Sequence, residues 1–410
     1  MGGAIGATAL GRLAWAAAPE LNLTVMGQAL IQHDLRQHPW PDYAVLAAMF
    51  GKADLCFTDL ETAIRSPRAE TPTRQDVFLH AADPAVLDCL KDWHIGLLAT
   101  ANNHAFDLGT GGILGALDEL DRRDLGHAGT GVDLAAASAP AYRRTANDTV
   151  ALVAAASGAI HEGGAATASR GGVNELRVNA DIPNAEDGAR VLAAIRDAAA
   201  QADIVIAYHH NHVLTEKGRR VPSWQQEFAH RCIDAGAAIF VSHGAPWLLG
   251  IEIYHGRPIF YDLGSLVFQT ATEAGTYDAS AWQSVIAECR FGGGGFAEMR
   301  LTPVQLNAER VDGDPTTRGR PSLAHGAEAL RSSTAWANSR PRSGRRSRAR
   351  ETAGSSARCS SGRAAQRPAS RLRSCRAINE NASVTSRITT PRNTVASALI
   401  SGVTPMRTLE

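Results

Sequence analysis

The chain has 410 residues, and its 41 basic and 41 acidic side chains cancel to a formal charge of zero. The balance is uneven. From Arg331 onward there are 16 arginines, three glutamates and no lysine or aspartate, so the tail is near +13 and the preceding body near −13. With 44% apolar residues the composition lies in the globular range. No run reaches the roughly 18 apolar residues of a membrane-spanning helix, and no two cysteines have CxxC spacing, which argues against a zinc knuckle or a thioredoxin-like motif.

The opening stretch "GAIGATALGRLAWAAAPE" is small and apolar and ends in "AWAAAPE". It reads as the apolar and cleavage regions of a secretory signal over residues 1–20, with the basic region upstream. Export is the expectation; the other reading is a poorly ordered first helix. Strands are predicted at 21–27, 53–59, 94–100 and 148–156. Helices follow at about Thr110–Arg123 and 185–201, the second with Ala189, Val191, Leu192 and Ile195 on one stripe. A buried strand at 202–208 precedes a helix at 223–236, with Ser223 placed to cap it and Gly236 to end it. A strand at 237–243 leads to a hairpin turning at His255-Gly256, and 294–306 supplies a late strand. Short apolar strands separated by helices imply an α/β domain with strands covered on both faces, here spanning 21–310. Residues 311–410 form an Arg/Ser-rich tail without hydrophobic period. It reads as disorder or as the product of a reading-frame error in a GC-rich gene. It lacks the lysines and interleaved aromatics of a nucleic-acid-binding arm.

In open α/β folds, ligands bind beyond the carboxyl ends of the strands. The unusual polar residues fall at such ends: Gln28; Asp59 and Glu61; Asn102, Asn103 and His104; His209, His210 and His212; and His243. Asp107 is expected to cap the following helix. Each cluster alone has a bland explanation as a turn or a satisfied histidine. Together they offer the mixed oxygen and nitrogen donors that Zn, Mn or Fe accept. "GTGGILG" follows "ANNHAFDL" rather than a strand directly, so dinucleotide binding is not indicated. Neither a P-loop nor a GxSxG elbow is present.

The order of "MGQALIQHD", "ADLCFTDLETAI", "ATANNHAFDLGTGGI", "DIVIAYHHNH" and "DAGAAIFVSHGAPWLLGIEIYHGRPIFYDLGSLVF" resembles the CapA proteins of poly-γ-glutamate capsule synthesis, within the calcineurin-like metallophosphatase superfamily. The resemblance runs from about Leu21 to about residue 306. It implies a four-layer α/β/β/α sandwich with a metal site at one edge of the sheets and one or two divalent ions. It implies Asp59, Glu61, Asn103, His104, His209 and His243 as metal ligands, and His104 or His210 as general acid or base. Two departures stand out. Gln28 replaces an aspartate, and Pro246 replaces the second histidine of the GHxPH turn. His210 and His212, or His33 and Asp34, are the residues that would compensate. The resemblance supports two functions: a metal-dependent hydrolase of a phosphoester or γ-glutamyl amide, and a non-catalytic polymer-binding protein of capsule assembly. The expected partners are a small-molecule or polymer substrate and membrane-associated capsule machinery, with no nucleic acid.

Overall fold

The computed structural model describes residues 20–293, 295–325 and the strand Ser386–Thr389. The expected signal remnant and most of the Arg/Ser-rich tail lie outside the described residues. One sheet runs in the order Pro321–Leu323, Gly295–Leu306, Gln283–Gly292, Leu21–Val25, Leu55–Asp59, Ile95–Ala99, Gly126–Ala128, and Ser386–Thr389 also pairs with Gly295–Leu306. From Leu21–Val25 to Gly126–Ala128 the pairing is parallel. On the other side of Leu21–Val25 it is antiparallel. The second sheet runs Ile251–Tyr254, Arg257–Phe260, Ile239–His243, Ile204–Asn211, Thr149–Ser157, Ala141–Arg144. Its inner strands are parallel and both edges are antiparallel.

Strand side chains alternate between faces with period two, and the buried clusters follow that rule. Leu23, Val25 and Phe57 of the first sheet share one cluster with Leu152, Ile206, Tyr208 and Val241 of the second. The opposite face of the first sheet, through Cys56, Leu98 and Ile286, packs on Leu46, Phe50, Leu87 and Leu90. These come from the helices Pro41–Phe50 and Ala85–Asp92. The opposite face of the second sheet, through Val153, Val205, Ala207 and Phe240, packs on Val191, Ile195, Phe228 and Cys232. These lie on the helices Ala185–Ala199 and Ser223–Asp234. Both sheets are thus apolar on both faces, as the continuous apolar strands require.

The hairpin turns where expected: His255 (φ 49°) and Gly256 (φ 73°) both take left-handed conformations, as a two-residue turn between twisted strands demands. Other expectations need correction. Ser223 is the first residue of its helix and makes no capping bond; Pro222 precedes it. Beyond residue 310, Pro321–Leu323 adds an edge strand on Val304–Leu306, within the 310–330 stretch where the sequence ends the domain. The sequence reading lacked the helices Pro41–Phe50 and Ala85–Asp92 and the strand Gln283–Gly292.

The parallel strands deliver their carboxyl ends to one region. Asp59 pairs with Ala99 in the first sheet, and His210 pairs with His243 in the second. The chain crossing at Gly27 is close: a Cβ there would lie 2.3 Å from the carbonyl oxygen of Gly264. Only glycine permits that approach, which lets Gln28–Leu30 pair with Ser265–Phe268.

Candidate metal centre

Asn102 ties the first strand ends together. Its Nδ2 donates to Asp59 Oδ1 at 3.0 Å and to the Leu60 carbonyl at 2.7 Å, and its Oδ1 accepts from the His104 backbone N–H at 3.1 Å. Asn102 is therefore a bracket between the Asp59 and His104 turns. Asn103 sits at the cavity wall, with Oδ1 2.8 Å from His210 Nε2. His210 is the centre of the cluster. Its Nδ1 is 3.3 Å from Asp59 Oδ2 and its Nε2 is 3.6 Å from Glu61 Oε1. The His212 ring stacks on it with centroids 5.1 Å apart. One ligand atom each from Glu61, His210 and His212 lie within 4.8 Å of one another, so these three form a triad able to hold a metal ion. His243 projects from the neighbouring strand on the same face as Val241, its ring 5.5 Å from that of Tyr208.

His209 does not join this set. It points to the opposite face, with its ring against Trp224 and Phe228 and Nε2 2.8 Å from Ser157 Oγ. Adjacent residues of a strand face opposite sides, so His210 and not His209 turns toward Asp59 and Glu61. Asp34 is also elsewhere: its carboxylate accepts from the Arg36 backbone and guanidinium at 2.8–3.0 Å and caps the short 3₁₀ turn Leu35–Gln37. Gln28 and Pro246 do line the cavity. Gln28 Oε1 accepts from the Gly244 backbone N–H at 3.1 Å.

Asp107 makes no helix cap. The helix Gly109–Arg122 follows Leu108 without a side-chain cap, and Asp107 turns inward. Its Oδ2 lies 2.9 Å from His104 Nδ1 and accepts from the His80 backbone N–H at 2.9 Å. Its Oδ1 is ion-paired with Arg74 Nε at 2.9 Å, without an aligned hydrogen bond. This arrangement leaves His104 Nε2 facing Glu61 Oε1 at 3.9 Å. Arg74 and His80, both on the cavity wall, were not foreseen, because they lie in a loop without period or motif. Asp262 was missed as well; it is buried and accepts from the backbone N–H groups of Ala245 at 3.1 Å and Gly264 at 2.8 Å.

The electrostatics follow from burial. Asp59 is pushed up to about 7, chiefly by loss of solvent. Glu61 is raised well above the ordinary range by burial and then by Asp59 and Asp262. Burial raises Asp262 likewise. His210 and His243 are pushed down to about 3 by burial. Buried carboxylates therefore resist charging, and the imidazoles stay neutral. Oε2 of Glu61, Nε2 of His212 and both ring nitrogens of His243 have no hydrogen-bond partner, and Asp59 Oδ2 has the approach of His210. The Asp59 carboxylate also has a side-chain hydrogen bond with Tyr208; the atoms of Glu61, His212 and His243 are the unpaired ones, and unpaired buried polar atoms are costly. A divalent cation is the group these neutral imidazoles and carboxylates fit, since it would accept their lone pairs and favour the ionised carboxylates.

Residues 4–270 match the family model described as bacterial capsule synthesis protein PGA_cap. The chain belongs to this family. Among capsule-synthesis relatives, it is 33% identical over 235 residues to a probable polyglutamine synthesis accessory protein of Mycobacterium tuberculosis, covering 56% of this chain and 59% of that one. It is 31% identical over 179 residues to the PGA biosynthesis protein CapA of Bacillus subtilis, covering 44% of each. An uncharacterized Sinorhizobium fredii protein aligns over 75% of this chain and 87% of its own length at 27% identity. Among solved structures, the Haemophilus influenzae NAD nucleotidase aligns over 78% of this chain and 56% of that one, at 12% identity and a TM-score of 0.36.

Proposed function

We propose that this capsule-synthesis family member is a metal-dependent hydrolase acting on phosphoester or γ-glutamyl amide bonds. The observation that carries the reading is the convergence of the buried Asp59 carboxylate and of unpartnered, buried ligand atoms from Glu61, His212 and His243 around His210 at the carboxyl ends of two sheets. Glu61, His210 and His212 would hold one ion, and Asp59 and His243 provide donors for a second. When bound, a Mn, Zn or Fe ion supplies Lewis-acid polarisation of a phosphoryl or carbonyl oxygen. The protein's own proton carrier is His104. Asp107 fixes Nδ1, so Nε2 is the atom that gives or takes a proton at the cavity. The sheet-on-sheet cluster flanked by two helix-bearing clusters fits the four-layer α/β/β/α arrangement. Export, and work beside membrane-associated capsule machinery, are part of the same proposal.

A second reading has its own support. Gln28 and Pro246 occupy the cavity wall where the family resemblance calls for an aspartate and a histidine. A polymer-binding assembly protein would tolerate both. Elemental analysis of untagged protein decides between them, together with a screen of phosphomonoesters, phosphodiesters and γ-glutamyl peptides. Stoichiometric metal that is lost in His210→Ala and accompanied by turnover supports the hydrolase. Substoichiometric metal, with no rescue by added Mn or Zn, overturns it.

A further inference from the structure

Resting on the hydrolase reading of this cavity, we infer that Arg74 and His80 form an oxyanion-recognition subsite beside the metal centre, built to hold a phosphate or carboxylate group of the substrate. One loop supplies both residues, and it is fixed rather than loosely draped. The Glu70 backbone N–H donates to the Leu108 carbonyl at 3.0 Å and the Thr73 backbone N–H to the Asp107 carbonyl at 2.9 Å. Glu70 Oε1 accepts from the Gly111 backbone N–H at 2.7 Å, and Arg68 pairs with Asp118 at 2.9 Å. Asp107 then anchors the loop from both ends of the Arg74–His80 stretch, through Arg74 Nε at one end and the His80 backbone N–H at the other.

The His80 ring makes no hydrogen bond to protein, and Arg74 meets only Asp107, through an ion pair. His80 is only 4% exposed, yet neither ring nitrogen has a hydrogen-bond partner. Its ring stacks on His104 with centroids 3.9 Å apart, and both line a cavity of about 150 Å³. Arg74 is only partly buried; Asp107 meets its Nε, and among the described residues no side-chain hydrogen bond reaches its terminal nitrogens. A guanidinium fork with free N–H groups matches a carboxylate or phosphate in two-point fashion. The neutral His80 ring offers one further N–H. Glu61 Oε1, 3.9 Å from His104 Nε2, places the metal-ligand triad next to this pair. A substrate bond held at the triad would then carry its neighbouring anionic group onto Arg74 and His80. Phe78 and Tyr277, also on the cavity wall, give the apolar flank.

The experiment is calorimetric titration of the full chain, with and without Zn, using inorganic phosphate and γ-glutamyl-glutamate as separate probes. Arg74→Gln and His80→Phe are compared with wild type; the phenyl ring keeps the stacking volume and removes the N–H. Binding of either probe weakened about tenfold or more in Arg74→Gln and a few-fold in His80→Phe, with bound metal unchanged, is the expected result. The probe that binds tells phosphate from carboxylate. Should Arg74→Gln fail to fold, His80→Phe alone decides. Wild-type affinity in the folded variants overturns the inference. So does loss of metal in His80→Phe, or a wild-type protein that takes neither probe at about 10 mM. Arg74-dependent binding without any turnover supports the subsite while removing the hydrolase reading, so the two failures are distinguishable.

Discussion

Oδ2 of Asp107 stands 2.9 Å from Nδ1 of His104, and the same oxygen accepts the His80 backbone N–H at 2.9 Å. One carboxylate therefore sets the tautomer of His104 and the position of the loop facing it. Carboxylate partners of this kind orient a histidine without touching substrate. Asp107→Asn is expected to keep bound metal within error while lowering kcat by about 10- to 100-fold. Steady-state kinetics beside elemental analysis checks it; unchanged kcat would remove the orienting role.

The reassignment from His209 to His210 gives a sharp contrast. His210→Ala and His212→Ala should lose metal, with affinity falling by about 10- to 100-fold or more. His209→Ala should keep metal and instead lower stability by about 2–4 kcal/mol, because it empties a site packed against Trp224 and Phe228. Metal titration and denaturant unfolding on the same samples separate the outcomes. Metal loss in His209→Ala would reverse the assignment.

How the sequence misled on this point is physical. The α/β character was legible because apolar strands alternate with helical stripes, and the polar strand ends at Asp59, Asn103, His104 and His243 were legible as exceptions to apolar runs. The facing of the Ile204–Asn211 strand was not, because it is buried on both faces and so carries no polar-apolar alternation to fix its register. Asp107 looked like a helix cap because it precedes the helix by two residues; its actual partners, Arg74 and His80, lie about thirty residues earlier in a loop. The helix Pro41–Phe50 escaped because "PDYAVLAAMF" is apolar nearly all round, so no stripe stands out.

In metal-free protein the contribution of Asp59 to stability should fall as pH rises from about 4 to about 7, against the opposite contribution of His209, His210, His212 and His243, which burial lowers from 6.5 to about 3. Asp59 is raised from 3.8 to about 7 by burial, so across that window the folded state holds a proton that the unfolded chain has released. This contribution to stability then falls with increasing pH. Glu61 and Asp262 are shifted in the same direction. Thermal unfolding of wild type and Asp59→Asn in chelator at stepped pH checks this: the stability of wild type relative to the variant should fall as pH rises from about 4 to about 7. A difference between wild type and Asp59→Asn that stays constant from about pH 4 to about pH 7 would contradict it.

Asp34 gives the opposite slope at a site remote from the cavity. Hydrogen bonds from Arg36 hold its carboxyl down at about 2 against an ordinary 3.8. The folded state therefore releases this proton more readily than the unfolded chain. The stabilisation is complete above about pH 4 and is lost as pH falls towards 2. Asp34→Asn should lower stability at pH 6 by about 1 kcal/mol or less, given partial exposure of Arg36, and should weaken the decline between pH 4 and 2. Equal pH profiles for variant and wild type would contradict the assignment of Asp34 as a structural ion pair.

Gln28→Glu tests whether the amide at the first strand end is what limits the metal centre. Glutamate has nearly the shape of glutamine, so its oxygen can keep the 3.1 Å bond from the Gly244 N–H. The change adds a carboxylate to a cavity that already holds Glu61, with Asp59 and Asp262 buried close enough to raise it. Without a cation, a further buried acid beside like charges must either stay protonated or repel them. The metal-free variant should therefore unfold at lower temperature, most clearly at pH 7 and above. With a cation the same carboxylate becomes a ligand, so Zn or Mn should raise the variant's Tm more than it raises that of wild type. Thermal unfolding across a metal titration reads both effects at once. A variant whose Tm responds to metal no more than wild type does would show that Gln28 lies outside the coordination sphere, and would place the ion wholly on Glu61, His210 and His212.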